Sequence, residues 1–556
     1  MRRLIATLAV VVAGLAACKS EKGRTEPPPR VAAVTLRVVY GSEKRSWLEE
    51  QVRSFQASGA RLSSGRIITV EAKPMGSGEA VQGIIDGTLQ PHVFSPASGA
   101  YVALLNRAWL GQVGKTLPVC PQGDPLVLSP VVVAMWKPMA EALGWPGKQL
   151  GWRDLLKVNA GGEGWSRIGR PEWGSFKLGH THPEYSNSGL LSVLAEAYAG
   201  ARKTRGLVTE DLRARPVRDL VQRVEGTVVH YGKSTGFFAE KMVERGPSYL
   251  SAAVLYENLV IESYSKASSA PFPLVAIYPV EGTFWSDHPY AILDAPWVGA
   301  EEREAGEKLL AFLKARPQQE RALVHGFRPA DTGIPVGAPV DAAHGVDARQ
   351  PQTLLEVPAA ATLEALLGLW RETKKAADVI LVFDKSGSMT GRPLVEAKAG
   401  ARAFLDALGE RDRLSVMFFD EAVHPPFGPL AIATGKQALA DRIGGAIAGG
   451  GTALYDATAR AYALALERAT QEPGRIHAVV VMTDGKDESS RADFADLRRV
   501  LSVEGGDTPV RVFTIGYGSK VQLDVLARIA ENAQGASARG SVEDIVAVYR
   551  DMAAFF

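Results

Sequence analysis

The stretch ADVILVFDKSGSM, residues 377–389, decides how the second half of this chain is read. VILVF has the length and β-branched content of a buried strand, and it runs straight into Asp384. Ser386 and Ser388 follow at alternate positions, so an extended loop turns both hydroxyls the same way. Two later stretches complete the set. GGGTALYD, residues 449–456, places Thr452 after a glycine run, and VVVMTDGKDESS, residues 479–490, places Asp484 at the end of another apolar strand. Two carboxylates and three hydroxyls on loops beside strand ends form an all-oxygen shell for a hard divalent cation.

Around this set, strand and helix patterns alternate. VILVFD, RLSVMFFD, AVVVMTD and VRVFTIGYG are short apolar runs. PLVEAKAGARAFLDALG, KQALADRIGGAIA, TALYDATARAYALALERA and FADLRRVLSV lie between them with helical spacing, and VQLDVLARIAENA and SVEDIVAVYRDMAAFF follow. Strands buried on both faces and separated by helices predict a largely parallel, doubly wound sheet. VHPPFGPLAI predicts an antiparallel edge strand, where proline is tolerated. Ligands of such sheets sit at the carboxyl ends of strands, near the switch in strand order.

DKSGS, the Thr452 loop and TDG resemble, in pattern and order, the metal-ion-dependent adhesion site (MIDAS) of von Willebrand factor A domains, over roughly a third of the chain. The resemblance implies a Rossmann-like domain over residues 376–556. It further implies a Mg2+ or Mn2+ ion on Asp384, Ser386, Ser388, Thr452 and Asp484, and a protein partner that donates an Asp or Glu carboxylate to that ion. It also matches the terminal helix SVEDIVAVYRDMAAFF to one that shifts with metal occupancy, although a packed terminal helix is the simpler expectation. Asp487 and Glu488 read as solvated loop charges, and Asp420 as a neighbour of the site or a turn residue.

The amino-terminal residues have a different logic. MRR is basic, LIATLAVVVAGLA is a short apolar run, and LAAC ends at Cys18. The run is too short for a membrane-spanning helix and reads as a signal peptide, residues 1–18. LAAC resembles the lipobox of bacterial lipoproteins. That implies cleavage before Cys18, acylation of its thiol, and a cell-envelope location, periplasmic or outer-membrane facing, held to the membrane by a lipid anchor. KSEKGRTEPPPR is charged and proline-rich, and residues 19–32 read as a flexible tether. Cys120, the other cysteine, is then expected as a small buried residue.

The chain of 556 residues exceeds what one hydrophobic core holds. All ten tryptophans lie before residue 371. The Pro-, Gly- and Ala-rich stretch RPADTGIPVGAPVDAAHGVDARQPQ, followed by the helical pattern ATLEALLGLWRETKK, reads as a linker over residues 331–375. A net charge of +2 gives no reason to expect nucleic acid.

Residues 33–330 are mixed α/β. The stretches MGSGEAVQGI, SPASGAYVALLN, THPEYSNSGLLSV and AAVLYENLVIESY, in that order, resemble periplasmic solute-binding proteins of the type II class. Those are two-lobed domains that close over a ligand. Ser77 with Gly78, Ser98, and Ser186 with Asn187 and Ser188 sit in turns before helical patterns, where hydroxyls and unpaired backbone N–H groups suit an anion. Tyr256 and Glu257 resemble a late cleft position of that family. Each serine taken alone reads as a helix cap. His180 and His182 form an H-x-H pair with no evident third ligand, so a polar strand-end role is expected. KS in YGKSTGFF lacks the glycine spacing of a phosphate loop, which leaves Lys233 near the cleft or solvated.

The expected protein is thus α/β throughout: a periplasmic-binding-protein-like module followed by a von Willebrand factor A domain. Its expected role is non-enzymatic recognition, with a protein partner at the metal and a small anionic solute in the cleft. The alternative is a receptor for a membrane transporter with an accessory docking module.

Overall fold

The computed structural model describes residues 33–159, 162–265, 270–502, 509–518, 521–541 and 545–556. Cys18, the residues before it and the tether lie outside them.

Strand Ala377–Asp384 is buried along its whole length, and its side chains alternate between two cores. Val379, Leu381 and Phe383 join Leu414, Val416, Val480 and Met482 on one face. Ile380 and Val382 join Met417, Phe419, Val479 and Val481 on the other. The period of two is what places a continuous apolar run in the middle of a covered sheet. Each such side chain contributes about 1.5–3 kcal/mol of burial.

The sheet has six strands, in the spatial order Phe427–Ala431, Arg413–Phe419, Ala377–Asp384, Ile476–Thr483, Val510–Tyr517, Ser537–Gly540. All pairs are parallel except the outermost, where Phe427–Ala431 runs antiparallel to Arg413–Phe419, as the prolines predict. Helices Arg392–Ala407, Ile432–Gly444 and Ile545–Ala553 cover one face. Helices Leu454–Gln471, Phe494–Leu501 and Leu523–Asn532 cover the other. The chain enters at the third strand and builds outward on both sides. The order therefore reverses between Ala377–Asp384 and Ile476–Thr483, the strands that end at Asp384 and just before Asp484.

The preceding module has two lobes. The first sheet runs Ile67–Met75, Ala33–Gly41, Val93–Ser95, Pro289–Ile292, Asp124–Pro125. The second runs Trp285–Ser286, Val127–Trp136, Ala252–Tyr256, Leu178–Thr181, Val228–Gly232, with Leu274–Ile277 and Arg328–Pro329 also paired to Val127–Trp136. The chain passes from the first lobe to the second at residues 125–127 and returns at 286–289.

A buried ion pair holds this junction. Lys44 Nζ lies 3.1 Å from Glu43 Oε1 and donates to the carbonyls of Ser95 and Pro96. His288 Nδ1 is 3.2 Å from the same carboxylate oxygen, and Asn258 of the second lobe donates to the Glu43 carbonyl. Burial would raise the Glu43 carboxyl, but Lys44 and His288 overcome it and hold the group at about 2 instead of 4.5. A carboxyl lowered on folding stabilises above its unfolded pKa, and the benefit is lost as pH falls through the folded value. Glu43→Gln, which strands Lys44, is therefore expected to cost about 3–5 kcal/mol near neutrality. The gap to wild type should close as pH falls from 4.5 towards about 2. Urea melts at neutral and acid pH check this, and a gap independent of pH would contradict it.

Residues after 330 fold back onto the second lobe. Leu355 N–H donates to Thr283 O at 2.8 Å, and Thr283 N–H donates to Thr353 O at 3.1 Å. Helix Ala360–Thr373, the linking helix, packs on helices Gly99–Leu110, Asn187–Ala201, Thr209–Leu212 and Arg215–Glu225. One apolar core then continues from the two-lobed module into the first face of the six-stranded sheet. Arg511 donates to Val229 O at 3.0 Å, and Lys374 Nζ donates to Phe556 O at 2.6 Å. Lys233 bridges Glu79 at 2.9 Å and Asp551 at 2.6 Å. Lys233 thus sits where both lobes meet the closing helix Ile545–Ala553. Cys120 is buried, and burial pushes its thiol up to about 12. Among the described residues no helix is long and apolar enough to cross a membrane.

Candidate functional site

Asp384 is the last residue of its strand and is fully buried. Its Oδ1 accepts the Ser386 backbone N–H at 2.8 Å, and its Oδ2 accepts the Thr483 hydroxyl at 2.5 Å. The first bond turns the chain sharply after the strand. The second ties the carboxylate to the neighbouring parallel strand. Ser386 Oγ lies 3.0 Å from Ser388 Oγ, and Ser388 Oγ donates to Asp484 Oδ1 at 2.6 Å. Thr452 reaches the same edge on its own loop, where its carbonyl accepts the N–H groups of Glu488 and Ser489. A methyl group placed on Gly485 would sit 3.5 Å from Thr452 Oγ1 and 3.8 Å from Ser388 Oγ, so these two hydroxyls flank the turn after Asp484. The five residues come together over 101 positions of sequence because the switch in strand order brings their loops to one edge.

The electrostatics are dominated by the burial of Asp384. Burial pushes the Asp384 carboxyl up to about 6, against the hydrogen bonds from Thr483 and Ser386, and Asp484 adds to the rise. Ser388 is exposed while Ser386 and Thr452 are buried, so the shell is walled by protein on one side and open on the other. Neutral hydroxyls and few formal charges suit a hard divalent cation that keeps an open position. The surrounding groups are already paired. Asp420 forms an ion pair with Lys385 and accepts from His424 at 2.9 Å. Asp487 accepts the Tyr455 N–H at 3.1 Å and the Ser490 hydroxyl at 2.5 Å, and so shapes the loop.

Of the residues predicted for the first module's cleft, Ser98, Asn187 and Tyr256 meet at the seam between the lobes, while the Glu257 side chain turns to partners within the second lobe. Ser98 Oγ donates to Asn187 Oδ1 at 2.6 Å, and Asn187 Nδ2 donates to the Tyr256 hydroxyl at 2.8 Å. Ser186 and Ser188 both bond Thr235, at 3.1 and 2.9 Å. Ser77 Oγ accepts the Ala97 N–H. Glu257 is clamped by Arg328 through two bonds of 2.8 and 2.7 Å. All of these residues are buried. The helix start at Ser77 is occupied too, since the N–H groups of Gly78 and Glu79 both donate to Tyr185 O of the opposite lobe. The approach is close: a Cβ on Gly78 would lie 1.9 Å from Glu184 O. Donors already satisfied across the seam have nothing left for an anion unless the lobes part. Millimolar phosphate and sulfate are accordingly expected to leave the thermal midpoint of the full chain unchanged. A midpoint that climbs with either ion would show an opening seam.

Some groups were not singled out from sequence. Glu196 and Glu225 lie fully buried beside His180. Glu196 was legible as the lone charge in the apolar helical run LLSVLAEAYAG, whereas Glu225 ends a helix rich in charge and carries no such signal. Residues 232–236, GKSTG, also spell G-x-S-x-G across a strand-to-helix turn. Ser234 there has extended backbone (φ −149°, ψ 151°) and is 3% exposed. It therefore lacks the strained turn and outward hydroxyl of a nucleophile elbow.

Fold and site together define a binding protein of two α/β modules, with convergent side chains at a lobe seam and at a sheet edge. Residues 36–328 match the model of the bacterial extracellular solute-binding protein family, and the chain belongs to that family. Residues 378–547 match the von Willebrand factor type A domain. An uncharacterized protein from Synechocystis sp. is 33% identical over 159 residues, 28% of this chain and 36% of that protein. Inter-alpha-trypsin inhibitor heavy chain H4 from Bos taurus is 29% identical over 177 residues. The chain thus spans 36% and 19% of the length of these two relatives. Among solved structures, a periplasmic thiamin binding protein aligns over 61% of this chain and 96% of its own, with 11% identity and a TM-score of 0.44. A von Willebrand factor type A protein from Catenulispora acidiphila aligns over 33% of this chain and 42% of its own, with 23% identity and a TM-score of 0.29.

Proposed function

We propose that this chain is a non-enzymatic recognition protein of the bacterial cell envelope, anchored by a lipid on Cys18. Its C-terminal domain would capture a protein partner through a divalent cation, Mg2+ or Mn2+, held by Asp384, Ser386, Ser388, Thr452 and Asp484. The observation that carries this reading is the set of contacts of 2.6–3.0 Å at the switch point of the sheet: Asp384 to the Ser386 backbone N–H, and Ser386 Oγ through Ser388 Oγ to Asp484. When bound, the cation supplies an electrophilic open position for a carboxylate of the partner. The shell's own role is to hold that position rigidly: Thr483 and the Ser386 N–H orient Asp384, and the exposed Ser388 marks the open side.

The two-lobed module serves, in this reading, as a platform. Its seam is filled by its own side chains, and its core continues into the C-terminal domain.

The test is selection of a displayed random-peptide library on the immobilised full chain in Mg2+. Acidic peptides should enrich, and chelation should release them. Peptides that stay bound in chelator, or enrichment without Asp or Glu, would count against the proposal.

A further inference from the structure

We infer that His180, Glu196 and Glu225 form a second, structural metal site, buried where the two-lobed module receives the linking helix. The three residues come from separate elements: strand Leu178–Thr181, helix Asn187–Ala201 and helix Arg215–Glu225. All three are 0% exposed, and one ligand atom from each lies within 4.8 Å of the others.

Each prospective ligand is held from outside through its second polar atom. His180 Nδ1 donates to Thr181 O at 2.8 Å, which leaves Nε2 to face Glu225 Oε1 at 3.0 Å. Glu225 Oε2 accepts the Tyr231 hydroxyl at 2.7 Å and the Trp370 indole N–H at 3.0 Å. Glu196 Oε1 accepts the Ser192 hydroxyl at 3.0 Å, while Glu196 Oε2 is buried with no hydrogen-bond partner. An imidazole whose far nitrogen donates to a carbonyl, beside carboxylates steadied by outer donors, is the arrangement that orients metal ligands. A buried orphan carboxylate oxygen costs stability unless something positive meets it. A tetrahedral zinc centre has bonds of about 2.0–2.1 Å, hence ligand atoms about 3.3 Å apart, close to the His180–Glu225 spacing. One nitrogen and two carboxylate ligands suit a first-row divalent ion, Zn2+ foremost, and differ from the all-oxygen set at the sheet edge.

The experiment uses the full chain, expressed with zinc and dialysed against a weak chelator. Asp384→Ala is the background, so that the sheet-edge site contributes nothing. About one equivalent of zinc should remain by mass spectrometry. Cobalt substitution should give visible ligand-field bands that depend on His180, Glu196 and Glu225. Glu196→Gln, which keeps the side-chain shape, should lose both. A folded parent chain without zinc or cobalt bands would overturn the site, as would zinc retained by Glu196→Gln. Should Glu196→Gln fail to fold, stoichiometry and the cobalt spectrum of the parent decide.

Discussion

Asp384→Asn is expected to remove Mg2+-dependent stabilisation from the full chain while leaving its fold intact. In the wild type, Mg2+ at a hundred times its dissociation constant should add about 2.7 kcal/mol to unfolding, visible as a raised thermal midpoint. The substitution keeps the volume of the side chain and removes its charge. The amide oxygen can keep the Ser386 N–H bond, and the Thr483 hydroxyl must rotate to accept from the amide nitrogen, while the proposed cation site loses its most buried carboxylate. The metal-free variant should be no less stable than metal-free wild type, because in the latter burial already disfavours the charged form, with the carboxyl pushed up to about 6. Differential scanning fluorimetry over a Mg2+ series is the measurement. A full-sized shift in Asp384→Asn would remove this residue from the ligand set. A metal-free midpoint far below wild type would show that its role is structural.

Trp370→Ala should have the largest effect on stability. The side chain is 1% exposed and fixes the linking helix to the two-lobed module. Its ring lies edge-on to His182 at 4.6 Å and to Tyr231 at 5.4 Å, and its indole N–H reaches Glu225 at 3.0 Å. Burial holds His182 neutral, with Lys374 adding to the effect, so this contact is packing and not charge pairing. Removal of a buried indole costs about 3–5 kcal/mol through lost burial and the cavity left behind. Trp370→Phe keeps most of the packing but deprives Glu225 of a donor, at about 1–3 kcal/mol. The core runs through this helix into the C-terminal domain, so Trp370→Ala is also expected to split a shared calorimetric transition into two. A loss below about 1 kcal/mol, or a single unchanged transition, would mean that the helix does not couple the modules.

Much of the architecture was legible because period and composition report burial directly. VILVF and AVVVM read as strands covered on both faces from their length, β-branched content and alternation with helical patterns, and the six-stranded sheet has them side by side at its centre. The prolines of VHPPFGPLAI put that segment on the edge, where a missing N–H costs no ladder bond. Asp384, Ser386, Ser388, Thr452 and Asp484 could be named as one set because loops at strand ends are positioned by sheet order, which the alternation of elements implies.

Partners that depend on which elements meet were not legible. The serines of the first module were readable as helix starts, but not that Tyr185 O would occupy the N–H groups of Gly78 and Glu79 from the opposite lobe. The H-x-H pair showed two histidines, yet only helix packing brings Glu196 and Glu225 to His180 and turns His182 away onto Trp370. The sequence by itself determined the two α/β modules, their order and the sheet edge where Asp384, Ser386, Ser388, Thr452 and Asp484 gather, because hydrophobic period acts locally along the chain. Only the tertiary structure decided how the lobes close, which buried charges meet and how the linking helix joins the modules, because burial and pairing are properties of surfaces in contact.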